Sequence, residues 1–196
     1  MTIWCATSNP GKLREFRLAG EVLGIGIEPL ANIKGITPPE ETGMTFEENA
    51  KLKASYYSGF APGLLFADDS GLEVDALNGE PGVYSARYAG ENATDEANNR
   101  LLLERLAGVT DRTARFVCAI AIADSRRVVK TFRGAVEGQI ITEPRGPGGF
   151  GYDPLFFYPP FDRTFGEADA ERKFSVSHRG NALRQMLEYL ASRSVR

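Results

Sequence analysis

With 196 residues, 42% hydrophobic, 25% charged and 10% aromatic, the chain has the length of a single domain, 1–196, and too much apolar content for disorder. At this length roughly 70% of the unfolded surface is buried on folding, so no disulfide or metal staple is needed. Its 23 Lys and Arg against 26 Asp and Glu leave a net charge of −3, which argues against a protein that coats nucleic acid.

In chain order, positions 2–7 read as a strand, 8–11 as a turn and the stretch from about Lys12 as a helix, with Leu13, Phe16 and Leu18 spaced for one buried face. A second strand is expected over 25–30, and Pro38-Pro39 breaks any regular element after it. Positions 45–57 open on Thr45 with Glu48 three residues on, the capping-box spacing, and predict a helix that brings Phe46, Ala50 and Lys53 to one side. Positions 64–67 read as a short buried strand feeding a turn at Asp68-Asp69-Ser70-Gly71. A loop at 81–89, a helix over about 94–106 and paired strands over 115–122 and 127–138 follow. Then come a glycine-rich loop at 146–151, a short strand at 155–157 and a closing helix over 182–191. Early strand–helix alternation and late paired strands predict an α/β protein with a mixed sheet.

No run reaches the roughly 18 apolar residues of a spanning helix, and MTIWCATSNPGK lacks the build of a secretion signal. Both cysteines, Cys5 and Cys118, sit in apolar runs and read as small buried strand residues. These features predict no membrane partner and a reduced, cytoplasmic setting.

Five stretches carry chemistry. In Thr7-Ser8-Asn9-Pro10-Gly11-Lys12 a strand ends and a helix begins; exposed amides and one Lys would cradle phosphate, although a capped turn explains the stretch equally well. Asp68-Asp69 directly after an apolar strand is costly unless solvated, paired or bound to a cation. Hard oxygen donors without a His or Cys cluster favour Mg²⁺ over Zn²⁺, against the alternative of an acidic turn. Glu40-Glu41 is a second acidic pair that gains meaning only beside Asp69. Gly148-Gly149-Phe150-Gly151-Tyr152-Asp153-Pro154 offers stacking faces and close backbone approach for a flat ring, or else an aromatic turn packed on the core. Finally, Lys173, His178 and Arg179 precede a helix, and this His is the chain's only one.

Taken in order, SNPGK, DDSGL, PGVYSARY, GGFGYDP and SHR resemble the inosine triphosphate pyrophosphatase family over nearly the whole chain. The resemblance implies a two-lobed α/β protein with a long mixed sheet flanked by helices, an active-site cleft between the lobes, and a homodimer. It implies Mg²⁺-dependent hydrolysis of deaminated purine triphosphates (dITP, ITP, XTP) to the monophosphate and pyrophosphate. By the same likeness Asp69 is the proton acceptor and, with Glu40, a Mg²⁺ ligand, Glu41 leaving that register open. Asp68 supports Asp69. Thr7, Ser8, Asn9, Pro10, Gly11, Lys12 and Lys53 face the triphosphate; Ser70, Phe150, Gly151, Tyr152, Asp153, Lys173, His178 and Arg179 also contact the nucleotide, with Lys173 adding positive charge for the phosphates.

Three other readings compete: a pyrophosphatase preferring modified pyrimidine triphosphates, a nucleotide-binding regulator without catalysis, and a single-strand nucleic-acid binder using the aromatic loops. The intact Asp68-Asp69 pair argues against the second and the net charge against the third.

Overall fold

The computed structural model describes residues 1–194. Its regular elements are β1 (Thr2–Cys5), α1 (Pro10–Val22), β2 (Gly26–Pro29), α2 (Phe46–Ser58), β3 (Leu65–Val74), α3 (Asp95–Arg105), β4 (Thr113–Asp124), β5 (Arg127–Ile140), β6 (Phe156–Tyr158), β7 (Arg163–Thr164), α4 (Ala170–Val176) and α5 (His178–Ser194). Seven strands form one mixed sheet in the order β2-β1-β3-β4-β5-β6-β7. β1 runs parallel to β2 and β3, while β5, β6 and β7 pair antiparallel.

Local chemistry accounts for the elements. Asn9 caps α1, with Pro10 at the first helical position, where its missing N–H costs nothing. Thr45 and Glu48 form the reciprocal capping box at the start of α2. Thr94 caps α3 through the Ala97 amide. In β5 burial alternates along its second half, as in a strand with one wet face, whereas β4 is buried continuously from Phe116 to Ala123. Such a run marks a strand covered on both faces.

The chain divides into two compact units. Among the described residues the first comprises Met1–Asp69, Cys118–Gly134 and 179–194; the second comprises Ser70–Val117 and Ala135–His178. Within the first unit α1 packs on β2, and Phe16 meets Phe66 edge-on with ring centroids 5.2 Å apart. Leu30, Tyr57 and Leu65 form a further buried cluster there. Within the second unit Leu72, Leu102, Phe116, Leu155, Phe156 and Phe165 belong to one core, in which the Phe116, Phe156 and Phe165 rings touch one another.

Three expectations are corrected. β3 does not end before the acidic pair but runs on through Asp68-Asp69-Ser70-Gly71 to Val74. A strand can carry adjacent carboxylates here because cations from distant segments meet both of them. Residues 82–87 form a 3₁₀ helix rather than a loop. His178 and Arg179 do not precede the closing helix but are its first residues, since α5 begins at His178, and Lys173 stands before it on a short helix of its own, α4.

Candidate active site

The first unit gathers charge around the acidic pair on β3. Asp68 is buried, and its Oδ2 accepts from Lys12 Nζ at 2.7 Å, with Arg179 Nε at 4.0 Å. Burial pushes the Asp68 carboxyl up, but Lys12, Arg179 and Lys53 together outweigh it and hold the group below the ordinary aspartate range. Arg179, itself buried, also donates to Glu15 Oε2 at 3.2 Å. Asp69 takes the other set of partners. Its Oδ1 accepts from Lys53 Nζ at 2.8 Å and its Oδ2 from Asn49 Nδ2 at 3.3 Å. Here burial prevails: the carboxyl is pushed up, Glu41 adds to the rise, and Lys53 and Asn49 offset it only in part. Lys53, although burial acts to lower it, is held above its ordinary value by Asp69, Asp68 and Glu41.

Two neighbouring carboxyls displaced in opposite directions is the pattern expected of a pair with divided roles. Asp68 stays ionised and anchors cations; Asp69 is the more basic of the two and less deeply buried.

Of the second acidic pair, Glu41 is the one brought to the Asp69 cluster. Its Oε1 lies 3.2 Å from Lys53 Nζ, whereas Glu40 is exposed. The Asp69 and Glu41 oxygens therefore converge on one ammonium. Among the described residues no group of three or more His, Cys, Asp or Glu side chains is placed to hold a metal ion. Two converging carboxylates suit Mg²⁺, which is commonly held by one or two carboxylates with substrate phosphates completing its shell.

The turn before α1 is arranged around Asn9. Its Oδ1 accepts from the Lys12 amide at 3.1 Å, and its own N–H donates to Thr7 Oγ1 at 3.2 Å. The Asn9 side chain is thus engaged in capping, and Lys12 connects the turn to Asp68. Ser8, Pro10 and Gly11 are exposed around it.

The second unit holds the aromatic loop. Asp153 Oδ2 accepts from the Phe150 amide at 2.9 Å and from Lys173 Nζ at 2.5 Å, the latter pair being almost fully buried. Lys173 Nζ also lies 4.8 Å from the Phe150 ring centre, within cation–π range. Lys173 is therefore engaged by this loop. Tyr152 is buried, and its hydroxyl donates to the Ser85 carbonyl at 2.8 Å; Phe150 remains 43% exposed. His178 stacks on Phe116, centroids 4.9 Å apart and planes 16° off parallel. Ser70, directly after Asp69, is half-buried.

Two members of the charge cluster escaped the sequence reading, Glu15 and Asn49. Asn49 carried a legible signal: it precedes Lys53 by one helical turn, on a face otherwise buried through Phe46 and Ala50. Glu15 carried a weaker one, its position three residues after Lys12.

Comparison with known proteins agrees along nearly the full length. The model of the Ham1 family matches residues 3–189. The chain is 50% identical over 186 residues to a dITP/XTP pyrophosphatase of an Exiguobacterium species, covering 95% of each. It is 48% identical to one from Acidobacterium capsulatum, covering 97% of this chain and 98% of that one. The Staphylococcus aureus Ham1 protein superposes with a TM-score of 0.89 at 42% identity, over 98% of this chain and 100% of that one. A HAM1 protein from Coxiella burnetii gives 0.90 at 41%, over 98% and 99%.

Proposed function

Since the chain belongs to the Ham1 family, we propose that it hydrolyses the triphosphates of deaminated purines, dITP, ITP and XTP, to the nucleoside monophosphate and pyrophosphate. An enzyme acting on phosphorus-containing anhydrides is what the family membership makes of it; the choice of purine and the need for Mg²⁺ are our reading. The observation that carries this reading is the divided acidic pair on β3, with Lys12 and Arg179 closing on Asp68 while Lys53 and Asn49 hold Asp69.

In this reading the triphosphate is met by the turn of Thr7, Ser8, Asn9, Pro10, Gly11 and Lys12 and by Lys53, whose positive charges neutralise it. Asp69 accepts the proton of a water that attacks the α-phosphorus; it is the less buried carboxyl of the pair and is held by Lys53 Nζ and Asn49 Nδ2. Asp68 keeps Lys12 in place. Asp69 and Glu41, the latter in place of Glu40, would hold Mg²⁺, which would supply a Lewis acid for the phosphate oxygens. Little covalent chemistry falls to the protein, so positioning and electrostatics dominate.

The base falls to Ser70, Phe150, Gly151, Tyr152, Asp153, His178 and Arg179. A 6-oxo group accepts hydrogen bonds where adenine presents an amino donor, so donors placed there favour oxopurines and oppose adenine. Lys173 braces the loop through Asp153 rather than serving the phosphates. The resemblance further supports a homodimer and a cytoplasmic location; no described helix is long and apolar enough to cross a membrane.

The test is turnover of dITP, XTP, dATP, dGTP and dUTP by the purified protein with Mg²⁺, reading pyrophosphate against orthophosphate. dITP and XTP are expected to lead, with pyrophosphate as co-product; a dUTP or dATP preference, or orthophosphate release, overturns the reading.

A further inference from the structure

Gly151, inside the aromatic loop, is gripped at both of its backbone polar groups by α3. Its N–H donates to Asp95 Oδ2 at 2.6 Å, and its carbonyl accepts from Asn99 Nδ2 at 2.9 Å. Asp95 and Asn99 stand four residues apart and so share one helix face. The helix does not need Asp95 as its cap, because Thr94 fills that place. A carboxylate in the first turn is favoured by the helix dipole, and an ionised acceptor makes a stronger bond to an amide than a neutral one.

Three further observations give the grip a purpose beyond stability. Gly151 has φ +61°, a left-handed turn that redirects the chain between Phe150 and Tyr152. A cavity of about 490 Å³ adjoins the loop, lined among others by Asn99, Leu103, Pro144 and Leu155, so that side of the loop is not bedded on packed side chains. Asn99 Oδ1 accepts no hydrogen bond from a protein group beside this cavity, so the amide is committed within the protein to the loop through its Nδ2. Turning that amide over would set its oxygen against the Gly151 oxygen, so the bond to Gly151 assigns its orientation.

We propose that Asp95 and Asn99 are positioning residues for base recognition: they fix the Gly151 peptide and, through it, the Phe150 and Asp153 groups that meet the purine. The inference rests on the reading of this loop as the base-holding element.

The experiment combines steady-state kinetics on dITP with hydrogen exchange of the peptide containing Gly151 and thermal melting. Asp95→Ala is expected to raise KM about tenfold with kcat within about twofold, the scale of one lost hydrogen bond to a charged group. Exchange at Gly151 quickens in the same variant. Asp95→Asn keeps an acceptor oxygen and is expected to restore both readouts. Asn99→Ala removes one bond to the loop and also the buried unmatched oxygen; its KM rises while its melting temperature holds or increases, a separation that a merely structural role does not produce. An unchanged KM in both alanine variants, or a fall in kcat at constant KM, overturns the proposal. Should the wild type turn over no oxopurine triphosphate, the function above fails instead, and the exchange comparison still decides the grip: unaltered exchange in Asp95→Ala overturns it.

Discussion

Asp68 and Asp69 are consecutive on β3, yet one carboxyl is held below and the other above the ordinary aspartate range. The difference lies in their partners: Lys12 and Arg179 close on the buried Asp68, while Lys53 is shared between Asp69 and Glu41. In the proposed reaction a proton acceptor and an electrostatic anchor are thereby built from the same residue type, one position apart.

Replacing the acceptor is the most direct test. Asp69→Asn keeps the side-chain shape and is expected to lower kcat on dITP about 10³-fold, within the range of general-base removal, with the circular dichroism spectrum unchanged. Turnover near the wild-type rate would remove Asp69 from the role.

The two glutamates separate by metal demand. Glu41→Gln is expected to raise the Mg²⁺ concentration for half-maximal rate by about tenfold or more, the scale of losing a charged hydrogen-bonding or ligand group. Glu40→Gln, at an exposed position, is expected to leave that titration in place. A Mg²⁺ titration of the rate for each variant checks both.

Acid behaviour follows from the opposed carboxyls. In chelator-treated protein, the raised Asp69 group binds its proton more readily folded than unfolded, so protonation between its raised value and about 4 favours the fold. The lowered Asp68 group acts in reverse: its stabilisation is complete above about 4 and is lost as pH falls toward its depressed value. Asp69→Asn should therefore remove the first trend and Asp68→Asn the second, read from melting temperatures across the acid range.

In the second unit, Lys173→Ala leaves Asp153 as an unmatched buried charge, and loss of one partner of such a pair costs about 3–5 kcal/mol. A melting temperature close to wild type would show that Asp153 finds another partner.

Much of the scaffold was legible because its signals are local. Thr45 with Glu48 announced α2, and the apolar runs before Ser8 and Asp68 announced β1 and β3. The ends of elements were less legible. Asp68-Asp69-Ser70-Gly71 reads locally as a turn, and only Lys12, Lys53 and Arg179, up to 111 positions away in the chain, make an extended strand tolerable there. The choice between Glu40 and Glu41 depends on the same kind of distant contact, since it is Lys53 on α2 that singles out one of two adjacent acids. The pairing of Lys173 with Asp153 was not legible either, because the two lie 20 residues apart in the chain.

Asn49 has a consequence for how this sequence can drift. Its Oδ1 accepts from the Gly43 amide at 2.8 Å while its Nδ2 reaches Asp69, and a Cβ on residue 43 would stand 2.6 Å from that same oxygen. A methyl at 43 would also stand 2.7 Å from Glu48 Cβ and 2.9 Å from the Asn49 backbone nitrogen, so glycine is demanded there whatever side chain occupies 49. A shorter side chain at 49 in turn abandons both the acidic loop and the strand, so drift is closed at each position for its own reason.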